Sequence, residues 1–356
     1  MRTKTLMFLI TYNCNLRCSY CYEPKLRSAR ISKYRLQSLI REKVDSITEQ
    51  YDSFEIHFMG GEPLLEFQLI KEVSEWIWSQ KFNKRLIAIY APTNGTLLND
   101  EIKEWCQNHK NKFCLGLSFD GNESMQDVNR SSSSGQVDLK FFSSTWPRQS
   151  VKMTISPKTV SELANGVEYL HSMGFREVVA DLAQGKNIGW EPSQLKELSK
   201  QLDSLSKFYI ENKEDMRFSM LDIDIFGIGG DVDVKTCSCG ENLICMDLDG
   251  QEYACHLFSP VSIPLEKAKR SQSMDFSQKS NFRSEECQRC ILNSLCSHCY
   301  GMNFINTDDM TKPEPIHCAA FKIIYIANCR HRLRLAESDN DIFTKERIAK
   351  IIDLIA

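Results

Sequence analysis

The chain has 356 residues, of which 42% are hydrophobic and 26% are charged, and its net charge is −3. This is ordinary globular composition, with enough length for a large core and two domains. The small net charge and a pI near 6.2 give no electrostatic basis for binding nucleic acid or an anionic membrane. No apolar run approaches the ~18 residues of a transmembrane helix, and the N-terminal LMFLI is too short for a signal peptide. We therefore expect a cytoplasmic protein. Fifteen cysteines are many for a reducing compartment, where closely spaced cysteines indicate metal or cluster ligands before they indicate disulfides.

Six short apolar runs alternate with amphipathic stretches between residue 4 and about residue 215. Each run is continuous and bounded by polar residues, which is typical of strands buried on both faces. The six predicted strands are KTLMFLI, FEIHFMG, RLIAIY, KFCLGLSF, SVKMTI and REVVADL. Apolar residues at helical spacing predict helices over TVSELANGVEYLHSM and EPSQLKELSKQLDSLSKFY. The alternation predicts right-handed βαβ units, a parallel sheet and a closed or partial barrel.

Three motifs follow the first three predicted strands. A cysteine triplet follows strand one, GGEP follows strand two and TNG follows strand three. In a barrel of this kind, the chemistry lies at the carboxyl ends of the strands. We therefore expect the three motifs to lie close together.

The sequence pattern changes near residue 226. The glycine-rich segment FGIGGDVDV predicts a domain boundary there. Ten of the fifteen cysteines lie beyond it, so this region is expected to be held by metal more than by a hydrophobic core. The end, TKERIAKIIDLIA, predicts a closing amphipathic helix. The predicted organisation is a barrel over residues 1–225, a cysteine-rich domain over 226–335 and a C-terminal helix over 336–356.

The triplet Cys14-x3-Cys18-x2-Cys21 offers three thiolates within eight residues. One interpretation is a zinc loop that borrows a distant fourth ligand. The other is a [4Fe–4S] cluster, which usually takes four cysteines. With three, one iron keeps a vacant coordination position, and a vacant position is what catalysis at a metal requires.

With this triplet after the first strand, the sequence resembles the radical S-adenosylmethionine (SAM) superfamily. The resemblance implies a partial (β/α)6 TIM-like barrel. It also implies that the unique iron binds the amino and carboxylate groups of SAM. The reduced cluster then cleaves SAM to a 5′-deoxyadenosyl radical that abstracts hydrogen from a substrate.

The match extends to the SAM site, where MGGEP (59–63) resembles the glycine-rich motif of the family. Gly60 and Gly61 let a backbone approach a ligand closely, and a plain strand-to-helix turn is the alternative. APTNGTLL and SFDGNESMQDVNR resemble the peptide-modifying branch. By resemblance, Arg130 pairs with the SAM carboxylate as a bidentate partner, with a surface salt bridge as its alternative. The other residues implied in SAM binding are Tyr20, Gly60, Gly61, Glu62, Asn94 and Ser118.

The cysteine-rich region resembles the SPASM extension, which holds two auxiliary [4Fe–4S] clusters. Gly250-x4-Cys255 and the later cysteine series match its pattern, except that two residues, not three, separate Cys296 from Cys299. Structural zinc is the alternative. The resemblance implies three clusters in all. For the outer auxiliary cluster it implies Cys287, Cys290, Cys296 and Cys318. For the inner one it implies Cys255, Cys299 and two of Cys237, Cys239 and Cys245.

The remaining cysteines have no predicted ligand role. Cys329 is expected to be a buried helix thiol, and Cys106 and Cys114 lie in helix and strand patterns as core residues.

SPASM enzymes as a family mostly modify peptides and proteins, so we expect a peptide maturase that forms a thioether or carbon–carbon crosslink. Formylglycine formation by an anaerobic sulfatase maturase, and epimerisation, are the alternatives. That maturase family has an aspartate base after the Gly-x4-Cys cysteine, where this chain has His256. Histidine can also take a proton, and a hydrogen-bonding role is its other interpretation. A non-catalytic Fe–S or zinc binding module is the alternative outside enzymes.

The expected partners follow from the same resemblance. The predicted barrel starts at once, so either a separate leader-binding protein or the barrel mouth would bind the substrate's leader peptide. An external flavodoxin- or ferredoxin-like protein would donate electrons.

Overall fold

The computed structural model describes residues 2–23, 28–185, 187–212, 215–227, 237–338 and 341–355. The predicted boundary segment at 226–234 lies mostly outside the described residues. The division into a barrel, a cysteine-rich domain and a closing helix therefore stays a prediction.

The described chain is an α/β protein. Its strands are β1 (Thr3–Thr11), β2 (Ser53–Gly60), β3 (Arg85–Thr93), β4 (Phe113–Leu117), β5 (Val151–Ile155), β6 (Glu177–Leu182), β7 (Arg217–Phe218), β8 (Leu243–Met246) and β9 (Glu252–Tyr253). Its helices are α1 (Lys33–Asp45), α2 (Phe67–Ser79), α3 (Asp100–His109), α4 (Glu123–Asn129), α5 (Leu139–Thr145), α6 (Leu163–Ser172), α7 (Pro192–Glu211), α8 (Leu265–Ser271), α9 (Glu285–Arg289), α10 (Tyr300–Thr307), α11 (Pro315–Ser338) and α12 (Ile342–Ile355). The six predicted strands correspond to β1–β6, and both predicted helices and the closing helix are present.

Two compact units make up the chain. The first comprises residues 1–118, 135–146 and 238–277, and the second comprises 119–134, 147–237 and 278–356. The first unit contains a six-stranded sheet in the order β4-β3-β2-β1-β8-β9. Its pairs are parallel except for β8–β9, which is antiparallel. The sequence did not predict β8, whose register places Thr5 of β1 opposite Leu243.

The strands of the first unit form where the apolar runs can be buried on both faces. Leu6, Phe8 and Ile10 in β1 are at most 1% exposed. Helices start at polar caps that accept a backbone N–H of the first turn: Ser32 caps α1 through Arg35 N, and the Asn99 side chain accepts from Ile102 N to start α3. Buried strand faces and capped helices bring the ends of β1, β2 and β3 to one edge of the sheet.

The second unit contains the parallel sheet β5-β6-β7. Helix α7 starts with Pro192 at its first position and a capping box between Glu191 and Gln194. The apolar faces predicted for α6 and α7 are buried at Val160, Leu163, Val167 and Leu170 and at Leu195, Leu198, Leu202 and Leu205.

The cysteine-rich region also has an apolar cluster of its own. It includes the fully buried Tyr325 and Cys329 of α11 and Ile348 of α12. This cluster packs α11 against α12, and the expectation that metal holds the cysteine-rich region more than a hydrophobic core stays a prediction. The prediction that Cys329 is a buried helix thiol is confirmed.

No helix in the described part of the chain is long and apolar enough to cross a membrane.

Candidate active site

The predicted cysteine triplet lies in the loop that follows β1. Cys14 and Cys18 are half-buried and Cys21 is exposed, and the Cys21 N–H donates to the Cys18 carbonyl at 3.1 Å. This turn presents three thiols on one short loop at the carboxyl end of a central strand.

The GGEP segment packs directly on this cysteine loop. The Gly61 N–H donates to the Thr11 carbonyl at 3.2 Å, and the Glu62 N–H donates to the Asn13 carbonyl at 2.8 Å. A Cβ at Gly61 would lie 2.5 Å from the Asn13 oxygen and 2.9 Å from the Cys14 Cβ. Glycine is therefore required at Gly61 because the cysteine loop approaches it closely, while its approach to SAM stays a prediction.

The carboxylate of Glu62 ties the second motif to the third. Glu62 is 1% exposed. Its Oε1 accepts from the Leu64 N–H at 3.0 Å and the Thr93 hydroxyl at 2.8 Å, and its Oε2 accepts from the Asn94 N–H at 2.8 Å. The Asn94 side-chain amide donates to Asn15 Oδ1 in the cysteine loop at 2.9 Å. The three motifs thus form one hydrogen-bonded network at the ends of β1, β2 and β3, as their spacing predicted.

Two other predicted SAM-binding residues lie in the first unit. Tyr20 is half-buried between Cys18 and Cys21. Ser118 directly follows β4, and its N–H donates to the Thr93 carbonyl at 2.9 Å. Both stay predictions as SAM contacts.

Arg130 lies in the second unit and is 8% exposed. Its Nε is 3.1 Å from Oδ2 of the fully buried Asp120. Asp120 also accepts from the Thr154 N–H at 2.8 Å and from the Asn129 side chain at 3.1 Å. The alternative of a surface salt bridge is wrong, because this ion pair is buried. Pairing of Arg130 with the SAM carboxylate stays a prediction.

His256 contacts the residue next to the cysteine triplet. Its Nε2 is 2.9 Å from the hydroxyl of Tyr22, and the two rings are 5.9 Å apart. Tyr22 follows Cys21, and His256 follows Cys255. The contact joins residues 234 positions apart, and no local signal in the sequence could have predicted it.

Cys239, Cys245 and Cys255 lie in the first unit. Cys239 is 2% exposed and Cys245 in β8 is fully buried. Burial, together with the nearby Cys255 and Asp247, raises the pKa of Cys245 well above its usual value. Cys245 and Cys255 are therefore close enough to interact electrostatically.

The four cysteines of the predicted outer cluster lie near one another in the second unit. Burial, followed by the electrostatic effects of Cys296, Cys287 and Cys290, raises the pKa of Cys318 to about 11. All three thiols thus lie within electrostatic range of Cys318. Cys237 likewise contributes to the raised pKa of Cys299, after burial.

A cavity of about 330 Å³ lies beside the end of β6 in the second unit. Its lining includes Cys296, His298, Cys299, His317 and Cys318. Three predicted ligands therefore line one space.

Cys106 and Cys114 were predicted to be core residues and not cluster ligands. Burial raises the pKa of both to about 12. Cys106 is fully buried, as predicted for a core residue, and Cys114 in β4 is half-buried.

Zinc ions and iron–sulfur clusters require different arrangements of thiols. Within the described ranges, no group of three or more His, Cys, Asp or Glu side chains converges on a single-ion position. Tetrahedral zinc requires ligands at about 2.0–2.3 Å from one ion. In a [4Fe–4S] cluster, each thiolate binds a different iron, so the ligands surround the cluster.

Three thiols after the first strand of a parallel sheet, with a glycine pair packed against them, match the arrangement predicted for an enzyme with an open iron–sulfur site. The chain belongs to the radical SAM superfamily, which it matches over residues 8–191, slightly more than half of its length. The protein is therefore a radical SAM enzyme whose cofactors are a [4Fe–4S] cluster and SAM.

Similar proteins include enzymes that act on other proteins. The chain is 26% identical over 338 residues to the serine-type anaerobic sulfatase-maturating enzyme of Klebsiella aerogenes, covering 80% of this chain and 76% of that one.

Two solved structures show the same fold. One is native anSMEcpe with bound AdoMet and Cp18Cys peptide, with a TM-score of 0.71, 18% identity and coverage of 94% of this chain and 99% of that chain. The other is Streptococcus suis SuiB bound to precursor peptide SuiA, with a TM-score of 0.60, 13% identity and coverage of 87% and 74%.

Proposed function

We propose that this radical SAM enzyme oxidises side chains in a peptide or protein and closes a thioether or carbon–carbon crosslink. The observation that carries the proposal is the 2.9 Å contact between His256 and Tyr22, which sets an imidazole beside the cysteine triplet of the same unit. The relative from Klebsiella aerogenes, which acts on sulfatases by its name, supports a polypeptide substrate.

In this proposal Cys14, Cys18 and Cys21 hold the SAM-binding cluster. The network of Glu62 and Asn94 fixes the loops around it, because every oxygen of the buried Glu62 carboxylate already accepts a hydrogen bond from the chain. Glu62 therefore acts as a positioning residue. The candidates for direct SAM contact remain the seven residues implied by the sequence: Tyr20, Gly60, Gly61, Glu62, Asn94, Ser118 and Arg130.

Two auxiliary clusters complete the cofactor set. Cys287, Cys290, Cys296 and Cys318 would hold the outer one, supported by the electrostatic proximity of these thiols. Cys255 and Cys299 would bind the inner cluster with two of Cys237, Cys239 and Cys245. When bound, the clusters and SAM supply the hydrogen-abstracting 5′-deoxyadenosyl radical and an acceptor for the electron that the substrate radical gives up.

The reaction also needs a proton acceptor, and a side chain of the protein supplies it. Closing a crosslink removes two hydrogens from the peptide. One would be taken as a hydrogen atom by the 5′-deoxyadenosyl radical, giving 5′-deoxyadenosine, and the other would leave as a proton while its electron passes to an auxiliary cluster. We assign the proton to His256, whose imidazole can accept it at neutral pH. Tyr22 orients this imidazole through the contact of its hydroxyl with Nε2.

Formylglycine formation is the second candidate, favoured by the 26% identity to a sulfatase-maturating enzyme over 80% of this chain. It requires the same hydrogen abstraction and the same proton acceptor. His256 at the position of the maturase aspartate weighs against it. Either reaction would use an external electron donor, and the crosslinking reaction could use a separate leader-binding protein.

Mass spectrometry separates these reactions. The reconstituted enzyme, SAM and reductant are incubated with synthetic peptides rich in cysteine and aromatic residues, and separately with sulfatase-type peptides that contain cysteine or serine. Crosslinking predicts a product lighter by two hydrogens that forms no hydrazine adduct. A hydrazine adduct would show an aldehyde and favour formylglycine. Unchanged mass with one deuterium gained in heavy water would show epimerisation and contradict the proposal.

Variants of His256 test the proton acceptor. His256→Ala should retain the iron content and 5′-deoxyadenosine formation of the wild type but lose most product, and Tyr22→Phe should lower product formation less. Wild-type product yield from His256→Ala would refute the role of His256. Full activity of His256→Asp on a sulfatase-type peptide would favour the formylglycine reaction.

A further inference from the structure

Arg283 is a buried cation in the cysteine-rich part of the second unit. Arg283 is 4% exposed. It precedes the N-cap Ser284 of α9, the short helix that contains Cys287. Arginine stays charged at all accessible pH values, so this buried position contains a permanent positive charge.

In the described part of the chain, the side chain of Arg283 hydrogen-bonds to neutral groups. Its Nη2 donates to the carbonyl of Cys296 at 2.6 Å, and its Nη1 donates to Nδ1 of His298 at 2.8 Å. Its Nε is buried without a hydrogen-bond partner. No acidic side chain among the described residues forms an ion pair with Arg283, although exposed arginines nearby do have such partners.

His298 does not supply the missing negative charge. Its Nε2 lies 3.2 Å from the carbonyl of Phe282, to which it donates, while Nδ1 accepts from Arg283. Because one ring nitrogen accepts and the other donates, His298 is a hydrogen-bond acceptor that orients Arg283 and brings no negative charge to it.

A buried guanidinium without an anion is strongly unfavourable, so buried charges in proteins are paired. The group that can pair with it is the thiolate set beside it. Cys296 Sγ lies 3.9 Å from His298 Nδ1, the atom to which Arg283 donates. Four thiolates around a [4Fe–4S] core give a cluster with a net negative charge, which increases on reduction.

We propose that Arg283 is the internal counter-cation of the outer auxiliary cluster and raises its reduction potential. The proposal rests on the assignment of this cluster to Cys287, Cys290, Cys296 and Cys318 in the proposed function. Net charge and hydrogen bonds near the sulfurs set the potentials of such clusters. A fixed cation beside Cys296 favours the more negative, reduced state and makes the outer cluster a better electron acceptor.

The test is a redox titration followed by electron paramagnetic resonance, without peptide, so that failure of the peptide reaction cannot affect it. All variants are made in the full chain with Cys14, Cys18 and Cys21 replaced by alanine, so that auxiliary clusters alone contribute. The signal that Cys287→Ser alters identifies the outer cluster. Arg283→Gln should shift its midpoint to more negative potential, and Arg283→Lys, which keeps the charge, should shift it less.

Arg289→Gln is the matched control, because Arg289 is also in this region but its side chain is 76% exposed. Removing an exposed, solvent-screened charge should leave the midpoint nearly unchanged. Equal midpoints in the parent and Arg283→Gln would overturn the proposal, as would equal shifts in Arg283→Gln and Arg283→Lys.

If Arg283→Gln does not retain the outer cluster, its midpoint cannot be measured. The iron content of Arg283→Lys then tests the proposal. Retention of this iron by Arg283→Lys would support the need for a charge at this position. Loss from both variants would show a packing role and overturn the proposal. Absence of any auxiliary signal from the parent protein would overturn it together with the cluster assignment.

Discussion

Replacing Gly61 with alanine should displace the cysteine loop and reduce the iron content. The new Cβ would lie 2.5 Å from the Asn13 oxygen, 2.8 Å from the Asn13 carbonyl carbon and 2.9 Å from the Cys14 Cβ. Two of these atoms are backbone, and the third belongs to a predicted cluster ligand. None of them is the far end of a flexible side chain, so the loop itself has to move.

The size of the movement follows from these distances. Ordinary van der Waals contact begins at 3.4 Å. The Asn13 carbonyl oxygen therefore has to move away from the new Cβ by roughly 0.9 Å. The Glu62 N–H bond to this carbonyl, now 2.8 Å, would lengthen to roughly 3.7 Å, beyond hydrogen-bonding range. A lost backbone hydrogen bond costs about 0.5–1.5 kcal/mol and overpacking about 1–3 kcal/mol, so we expect a local cost of about 1.5–4.5 kcal/mol.

Iron analysis after anaerobic reconstitution measures the effect. Three clusters imply about 12 iron per chain, and Gly61→Ala should fall toward about 8 because Cys14 is displaced. Gly135→Ala is the matched control, because a Cβ there meets nothing within 4 Å and its backbone is outside the left-handed region. Wild-type iron content and SAM binding in Gly61→Ala would refute the close packing of Gly61 on the cysteine loop.

Two further predictions concern the cluster and the buried ion pair. Replacing Cys14, Cys18 and Cys21 together with alanine should remove about a third of the iron, while saturation of the wild type at about four iron with zinc present would contradict the auxiliary clusters. Arg130→Ala should lower the free energy of unfolding by about 3–5 kcal/mol, because it leaves the buried Asp120 without its cation. A thermal midpoint equal to that of the wild type, with only SAM affinity reduced, would show that Arg130 serves SAM rather than the fold.

The strands could be predicted because burial on both faces leaves a continuous apolar run, as in β1 and β2. The strand β8 could not be predicted. Its four residues, LICM, lie in a cysteine-rich stretch, and its partner β1 is more than 230 positions away. Pairing at such separation depends on tertiary context, for which the local sequence contains no signal.

In the candidate site, too, local patterns could be predicted and contacts that depend on tertiary structure could not. The spacing of Cys14, Cys18 and Cys21 and the GGEP motif are local patterns, and they predicted the family and the edge of the sheet where the site lies. The role of the Glu62 carboxylate was missed, because its bonds to Thr93 and Asn94 depend on the neighbouring strand. Arg283 was missed because burial of a charged residue has no signature in sequence.

The pairing of β1 with β8 also affects how the protein forms during synthesis. Strand β1 is synthesised more than 230 residues before its partner at 243–246. At typical translation rates of about 5–20 residues per second, one edge of β1 stays unpaired for roughly 10–50 s before β8 is synthesised. An unpaired apolar edge promotes aggregation. A fragment that ends at residue 225 would retain this exposed edge permanently, so expression of the isolated barrel segment should yield insoluble protein where the full chain folds.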